Sequence, residues 1–400
     1  MSPRSPAFAI LFGISLTAAA GNMALQSVLP AIGREFGLAD TLVAGAFAIS
    51  ALMWTLSAPV WARLSDRIGR KRVIEAGLGG FVVSMTGFGL AATAGLEGWL
   101  PAGVAFGCMV AARCIYGICG SAGPIASQAY VADRTRREDR TQALSLLASA
   151  QGLGTVLGPA ISPFLVLPIV GLAGPMYAFA VLGAVVLAVA SARLPTGDVV
   201  PLPAESAAPT SGLWRDPRVR AWLVYGALVT SAQAVNISVL GFHVIDELGM
   251  APREAQPFIG VAMLSGAAAT LMAQWGLIPL LRLEPRELAR WGGALALAGN
   301  AISAAAPGYA GAVVGYAAVS MGVGFARPGF TAGSSLSVGP HEQGAVAGLM
   351  MSLAGISFLL PPVLGVALYE VSEPAPFLVN VALLAAALVV CYASPTLRRA

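Results

Sequence analysis

Two arginines, Arg113 and Arg327, lie inside long apolar stretches of this sequence. A charged side chain is expensive to place among apolar groups, so each of these residues is a functional candidate. A guanidinium binds a carboxylate through two parallel hydrogen bonds, so an unpaired arginine beside a water-filled cavity favours an anionic ligand. The alternative is that backbone carbonyls or neutral side chains hold each arginine and that it stabilises helix packing.

Neutral polar and aromatic residues on apolar stretches of both halves of the chain could complete a binding site. The candidates are Asn22, Gln26, Tyr116, Gln233 and Asn236. Asn22 and Gln26 are one helical turn apart, and Tyr116 lies near Arg113 at helical spacing, where its ring could stack on a ligand. Each of the neutral polar residues equally fits an interhelical hydrogen bond.

The composition indicates a protein that crosses a membrane many times. Of its 400 residues, 57% are hydrophobic and 10% are charged, and the mean hydropathy is +0.78. A soluble core does not bury this much apolar surface, so the surplus must face lipid. Apolar runs long enough to span a bilayer begin near Phe8, Leu42, Ile74, Gly103, Gln142, Gly171, Val219, Pro257, Leu288, Tyr309, Gln343 and Ala375. The sequence therefore predicts an all-α membrane protein with twelve transmembrane helices.

The distribution of basic residues predicts how these helices are oriented. Nineteen of the 23 lysines and arginines fall in loops or termini on one side of the predicted helices, and only Arg34 and Arg253 fall on the other. Positive charge is retained on the cytoplasmic side, so both termini are predicted to be cytoplasmic, in a cell (inner) membrane. The basic residues lie in short loops and not along a continuous stripe, which excludes nucleic-acid binding.

A stretch without helical periodicity divides the chain into two similar halves. Residues 194–218 are rich in Pro, Ser and Ala and are predicted to be a cytoplasmic linker between six-helix bundles at 1–193 and 219–400. The pair Gly120 and Pro124 recurs as Gly324 and Pro328, at a spacing of 204 residues. Duplicated bundles joined by a linker are typical of secondary transporters that bind their substrate near the middle of the membrane.

The loop after the second predicted helix, "WARLSDRIGRKRVI" at 61–74, gathers five basic residues around one aspartate. Asp66 is expected to cap a helix start and to pair with an arginine, in a network that can latch helix bundles together. The run Asp-Arg-x-Gly-Arg-Lys strongly resembles the signature loop of the major facilitator superfamily. That resemblance implies two pseudo-symmetric six-helix bundles and a gating role for the loop. The gating candidates are Asp66, Arg67, Gly69, Arg70 and Lys71.

Further stretches extend this resemblance. In the fifth predicted helix, "ASAQGLGTVLGPAISP" at 148–163, Gly154, Gly158 and Pro159 allow close approach of a neighbouring helix and a bend. The pattern resembles the antiporter motif of the drug/proton exporter branch and implies a gating role in export, with ordinary tight packing as the alternative. Residues 113–140 and 325–349 are similar to tetracycline exporters, and the second stretch also resembles bacterial siderophore exporters.

Proton coupling is the point at which the residues and the resemblance differ. Proton antiporters usually carry a buried carboxylate that loads and unloads protons. No Asp or Glu lies as deep in a predicted span as the two arginines do. A coupling proton would then be carried by an acid near a span end, such as Asp66, Asp133 or Glu75, or by the substrate itself.

These observations predict a monomeric secondary active transporter that works by alternating access, without a cofactor or metal. The expected cargo is a small organic anion, such as a carboxylate siderophore, moved outward. One alternative is multidrug or tetracycline-type efflux by proton antiport, and another is a membrane sensor that transports nothing. An enzyme is not expected, because the sequence has no nucleophile motif and only two histidines. The single lysine, Lys71, excludes the phosphate-binding loop of an ATP-driven pump.

Overall fold

We describe the protein from a computed structural model, whose described residues are 5–135, 137–196, 212–339, 342–394 and 397. They divide into two compact units, one within Met1–Pro203 and Pro252–Gly260 and the other within Ala204–Ala251 and Val261–Ala400. Nearly all of the described chain is helical, and its only extended pairing is a single bridge between Leu167 and Gly171. The predicted all-α class is confirmed.

Seven helices lie in the described part of the first unit. They are α1 Pro6–Glu35, α2 Asp40–Ile68, α3 Arg70–Leu96, α4 Ala102–Gly120, α5 Ala122–Arg134, α6 Arg137–Ile161 and α7 Gly174–Arg193. Helices α4 and α5 follow each other directly and form one membrane segment, Ala102–Arg134. After α6 the chain tightens into a 3₁₀ helix at Ser162–Leu165, and a proline at its second position donates no hydrogen bond.

The remaining helices of the described chain lie in the second unit, apart from the start of α9 up to Gly260, which belongs to the first. They are α8 Pro217–Leu248, α9 Gln256–Leu271, α10 Ile278–Leu281, α11 Pro285–Ala305, α12 Tyr309–Leu336, α13 Gln343–Ser357, α14 Pro361–Val371 and α15 Ala375–Ala393. A π-helical turn at Met272–Leu277 joins α9 to α10. Helix α14 starts with two prolines, which fit the first turn because the N–H groups there have no helical partner.

These helices fill twelve segments at the positions that the apolar runs predict. Ten of the segments are long and apolar enough to cross a membrane. The other two are α6 and α11, with 25 and 21 residues. At about 1.5 Å per residue both reach across the roughly 30 Å hydrocarbon core. Charged residues in their first turns make these two helices more polar.

Helices α1 and α6 pack tightly because α6 presents glycines to α1. A Cβ on Gly158 would overlap the carbonyl oxygen of Ala20, and one on Gly154 would lie 2.6 Å from the carbonyl oxygen of Leu16. The Oγ of Ser162 donates a 3.0 Å hydrogen bond to the carbonyl of Ala24. The close approach that the glycine spacing predicts is present, with α1 as the neighbouring helix.

The core of the second unit contains a hydrogen-bonded set of asparagines. Asn236 on α8 and Asn380 on α15 each donate from Nδ2 to the Oδ1 of Asn300 on α11, both at 3.0 Å. All three side chains are buried. Buried amides require partners, so this set fixes the packing of three helices around one acceptor.

Most of the predicted linker at 194–218 lies outside the described residues. Its described end contains a 3₁₀ helix at Leu213–Arg215 and leads into α8. Asp216 caps α8, because its Oδ1 accepts a 2.8 Å hydrogen bond from the backbone N–H of Arg218. The terminal arginines that contribute to the predicted orientation, at 4, 398 and 399, also lie outside the described residues.

Candidate functional site

Arg113 lies in the middle of α4 and is buried, with 3% of its surface exposed. Its Nη2 donates a 2.8 Å hydrogen bond to the Oδ1 of Asn22 on α1. The guanidinium carbon lies 5.1 Å from the ring centroid of Phe47 on α2 and 5.0 Å from that of Tyr116. Side chains of three helices therefore position this cation, and two aromatic faces stabilise its charge.

A glycine one turn after Arg113 explains how α2 comes so close. A Cβ on Gly117 would lie 2.5 Å from the carbonyl oxygen of Ser50. The Oγ of Ser50 in turn donates a 3.0 Å hydrogen bond to the carbonyl of Arg113. Residues four apart share a helix face, so the Arg-x-x-x-Gly spacing places the cation beside the point where α2 contacts α4.

Arg113 has donors that the described residues do not use. Its Nε and Nη1 are buried and have no hydrogen-bond acceptor among the described residues. No described carboxylate forms an ion pair with it either. Leaving a buried charge uncompensated costs several kcal/mol, as an order of magnitude. The arrangement can therefore bind an oxyanion, which would accept the free N–H groups and neutralise the charge.

Two further predicted residues adjoin this arginine or its amide partner. Gln26 lies one turn beyond Asn22, donates from Nε2 to the Sδ of Met23 at 3.8 Å, and has an Oε1 without a partner among the described residues. The ring of Tyr116 packs against Trp54 and Phe81, with centroids 5.6 Å and 5.9 Å apart. The first unit thus combines a cation, two amides and an aromatic wall.

The three predicted binding residues of the second unit have different surroundings. Arg327 on α12 is exposed, and Gln233 on α8 is partly exposed; neither has a hydrogen-bond or ion-pair partner in the described part of the chain. Asn236 is buried and donates to Ala232 and Asn300. Asn236 thus forms an interhelical hydrogen bond, which is the alternative to ligand binding that the sequence also allowed.

The loop between α2 and α3 forms an ion-paired network around Arg70. Its Nε lies 3.0 Å from the Oδ2 of Asp133 at the end of α5, and its Nη1 pairs with Asp66. The same Nη1 donates a 3.1 Å hydrogen bond to the Oγ of Ser65. The prediction that Asp66 caps a helix start is wrong, because Asp66 belongs to the last turn of α2 and Gly69 is the uncapped N-cap of α3.

Gly69 allows the abrupt reversal between α2 and α3. Its φ is +96°, a region that L side chains rarely adopt. Lys71 then donates from Nζ to the carbonyl of Ser191 on α7 at 2.7 Å. Arg67 is exposed. The loop therefore ties together the ends of α2, α3, α5 and α7 in the first unit, and its gating role remains a prediction.

The acidic residues predicted as proton carriers are all engaged by basic residues. Asp66 and Asp133 pair with Arg70, and the Oε1 of Glu75 lies 3.9 Å from the Nζ of Lys71. A further buried titratable group, His243 on α8, is not among the residues predicted from the sequence. Its signal in the sequence is a histidine inside an apolar helix, three residues before the acidic pair Asp246 and Glu247.

Two solved structures share this fold over almost the whole chain. One is a bacterial homolog of the human lysosomal transporter Spinster in an inward-facing and occupied conformation, with a TM-score of 0.71, 16% identity, and 98% of this chain and 97% of that chain covered. The other is the human organic anion transporter MFSD10 (TETRAN), with a TM-score of 0.64, 16% identity, and 97% and 100% covered. At these identities the likeness establishes the fold alone.

Sequence relatives match over shorter regions. Tetracycline resistance protein, class C, of Escherichia coli is 33% identical over 156 residues, which is 38% of this chain and 36% of that protein. Multidrug resistance protein 1 of Bacillus subtilis is 30% identical over 138 residues, or 34% of this chain and 32% of that protein. The matches span about a third of the length of these relatives.

Twelve membrane-length segments in two helical units define a multi-pass membrane protein. The sequence profile of the Major Facilitator Superfamily matches residues 11–362. The chain belongs to the Major Facilitator Superfamily, and the predicted resemblance to drug-efflux transporters of that family is confirmed.

Proposed function

We propose that this transporter is a secondary active exporter of a small organic anion, such as a carboxylate siderophore, and that it works by alternating access. The observation that carries the proposal is Arg113, whose buried guanidinium has an amide as its hydrogen-bond acceptor and two unused nitrogen donors. An anionic cargo would satisfy both its hydrogen bonds and its charge. The names of the tetracycline and multidrug resistance relatives support export.

The exporter is proposed to act as a monomer in the cytoplasmic membrane with both termini on the cytoplasmic side. The strong bias of basic residues to one set of loops supports this orientation. A green fluorescent protein fused to the C-terminus should therefore fluoresce, and alkaline phosphatase fused at the same point should be inactive. Active phosphatase would reverse the orientation.

A second candidate is efflux of a lipophilic drug by proton antiport. The observation in its favour is the aromatic wall formed by Trp54, Phe81 and Tyr116. Flat aromatic faces bind apolar or cationic ligands without requiring a carboxylate. The two candidates differ in what they require of Arg113, because a neutral or cationic drug gains nothing from a free guanidinium.

Ligand-induced thermal stabilisation of the purified protein separates the candidates. One panel contains citrate and citrate-type siderophores, and the other contains tetracycline and cationic drugs. The variants are Arg113→Gln, Arg113→Lys and Arg327→Ala, with Arg63→Gln as a control at an exposed arginine of the first unit. Stabilisation by the anions should vanish in Arg113→Gln and survive in part in Arg113→Lys, which keeps the charge but loses bidentate geometry.

Each outcome selects one interpretation. If anion binding is lost in Arg327→Ala as it is in Arg113→Gln, then Arg327 also contributes to the binding site. Stabilisation by drugs alone, unchanged by the arginine substitutions, would replace the anion exporter with multidrug efflux. A protein that neither panel stabilises, and that moves neither citrate nor tetracycline in proteoliposomes, would fit the sensor.

A further inference from the structure

His243 is a buried histidine with unused nitrogen atoms. It lies on α8, five residues before the helix ends at Leu248, and 3% of its surface is exposed. Neither Nδ1 nor Nε2 has a hydrogen-bond partner among the described residues. An imidazole always carries at least one N–H donor, so such a ring is poised to exchange a proton with a nearby acceptor or water.

Aromatic side chains of two other helices pack against this ring. The centroid of Phe377 on α15 lies 4.9 Å from that of the imidazole, and Tyr369 on α14 meets it edge-on at 6.1 Å. The charged groups that act on the ring are Asp246 and Glu247, which follow it on α8 by three and four residues. Tyr369 is the titratable group that α14 presents to the ring, and the contact from α15 is not titratable.

The two carboxylates are anchored to other helices of the second unit. Tyr369 donates from its hydroxyl to the Oδ2 of Asp246 at 2.8 Å. The Oε2 of Glu247 accepts a 2.6 Å hydrogen bond from the backbone N–H of Gly308, which is the N-cap of α12. Any change of charge at His243 therefore acts on groups that contact α14 and the start of α12, the helix that carries Arg327.

We infer that His243 is a reversible proton-binding site, in which Asp246 and Glu247 provide the counter-charges of the imidazolium. A proton from water at the C-terminal end of α8 adds to a free ring nitrogen, and the same nitrogen later returns it. The positive charge so formed is attracted by two carboxylates within about one helical turn, and this attraction opposes the cost of charging a buried ring.

This site offers the proton carrier that the acids of the α2–α3 region do not, since those acids are ion-paired. Its use as the coupling site rests on the proposed transport function, whereas proton binding itself does not. Protonation would strengthen the attraction between the ring and Asp246, and deprotonation would release it. The hydrogen bonds of Asp246 to α14 and of Glu247 to the start of α12 would then change in strength each time the ring gains or loses its proton.

The chain has only two histidines, His243 and His341, which makes a direct measurement simple. In His341→Gln, protein labelled with ¹⁵N-histidine and held in lipid nanodiscs carries one imidazole, and its ring resonances report protonation and tautomer. Between about pH 9 and about pH 5 this ring should change from neutral to charged. His243→Gln, which keeps His341, identifies the other resonance.

The carboxylates give the second arm. The single variants Asp246→Asn and Glu247→Gln in the His341→Gln background should each make the ring titrate at lower pH, because a counter-charge is lost. A ring that stays neutral over the whole range would overturn the inference. If neither substitution changes the pH at which the ring titrates, the carboxylates do not act as its counter-charges. Two separate variants are used so that the test still holds if one of them does not fold.

A coupling role adds an expectation that uses citrate as the probe. Citrate-induced stabilisation should change between about pH 5.5 and about pH 8 in the wild type, and the change should be smaller in His243→Gln, which retains only the part due to the titration of citrate itself. Equal pH dependence in both proteins would remove His243 from coupling. A failure of citrate to bind would count against the proposed substrate class and leave the resonance titration to decide the proton site.

Discussion

The Nη2 of Arg113 and the Oδ1 of Asn22 are 2.8 Å apart, and they join α4 to α1 through a cation and a neutral amide. An amide accepts a hydrogen bond without cancelling charge, so the guanidinium keeps its positive charge inside the first unit. Within a membrane protein an uncompensated charge of this kind is expensive. This relationship is therefore the most direct reason to expect a negatively charged ligand.

Asn22→Asp should strongly weaken anion binding and leave the fold intact. The new carboxylate would form an ion pair with Arg113, which is stronger than the present bond between a cation and a neutral amide by about 1 kcal/mol. Because the carboxylate also cancels the positive charge, affinity for citrate-type anions should fall at least about tenfold. Ligand-induced thermal stabilisation measures the affinity, and unfolding without ligand measures the fold.

Asn22→Ala is the matched control for that substitution. It removes the same hydrogen bond and retains the charge of Arg113, so anion binding should weaken far less than in Asn22→Asp. If both variants lose binding equally, the amide itself contacts the ligand. If Asn22→Asp binds citrate as the wild type does, Arg113 is not the anion site.

The pair of Arg70 and Asp133 should account for most of the stability that the α2–α3 network provides. Their side chains are 15% and 23% exposed, whereas that of Asp66 is 65% exposed. A double-mutant cycle with Arg70→Gln and Asp133→Asn should give a coupling energy of about 1 kcal/mol, and one with Asp66→Asn should give less. Arg72→Gln, at an exposed neighbouring arginine, should change the free energy of unfolding little.

Gly158→Ala should destabilise the first unit, because the new Cβ would overlap the backbone of Ala20 and α1 would have to move. Overpacking of this kind costs about 1–3 kcal/mol. Gly152→Ala on the same helix is the control: a Cβ there has nothing within 4 Å, so the fold should be unchanged or slightly more stable. Thermal unfolding of the two purified variants compares them, and equal stability would contradict tight α1–α6 packing.

The sequence predicts the helices of this fold well because lipid imposes a simple rule on them. A span needs about twenty apolar residues, so twelve apolar runs locate twelve segments. The ion pairing of Asp66 is predicted as well, since its partner, Arg70, is only four residues away.

What the sequence does not indicate are contacts between residues far apart in the chain. Nothing in the spacing predicts that Phe47 lies over Arg113, or that Asn236 and Asn380 share Asn300 as an acceptor. These contacts depend on which helix faces meet, and apolar periodicity is weak where lipid and core are both apolar. The predicted cap at Asp66 is wrong because α2 continues to Ile68, so that Asp66 lies in its last turn and not at the start of the next helix.

The Arg218 side chain should make the stability of the second unit depend on pH. Its guanidinium lowers the pKa of Asp216 and of Glu342, mainly through side-chain hydrogen bonds, with Nη2 at 2.7 Å and 3.0 Å from the two carboxylates. A lowered carboxyl pKa contributes stability above the unfolded-state value of about 4, and this contribution is lost as the pH falls through the folded-state value. Arg218→Gln should therefore melt below the wild type at about pH 6, and the two melting temperatures should converge as the pH falls through the lowered folded-state pKa values. Since Arg218 is exposed, added salt should reduce the difference in melting temperature between the two proteins. The control is Arg220→Gln, at an exposed arginine two residues further along α8, which should melt like the wild type at every pH. A difference in melting temperature that persists at low pH would assign Arg218 a role other than charge pairing.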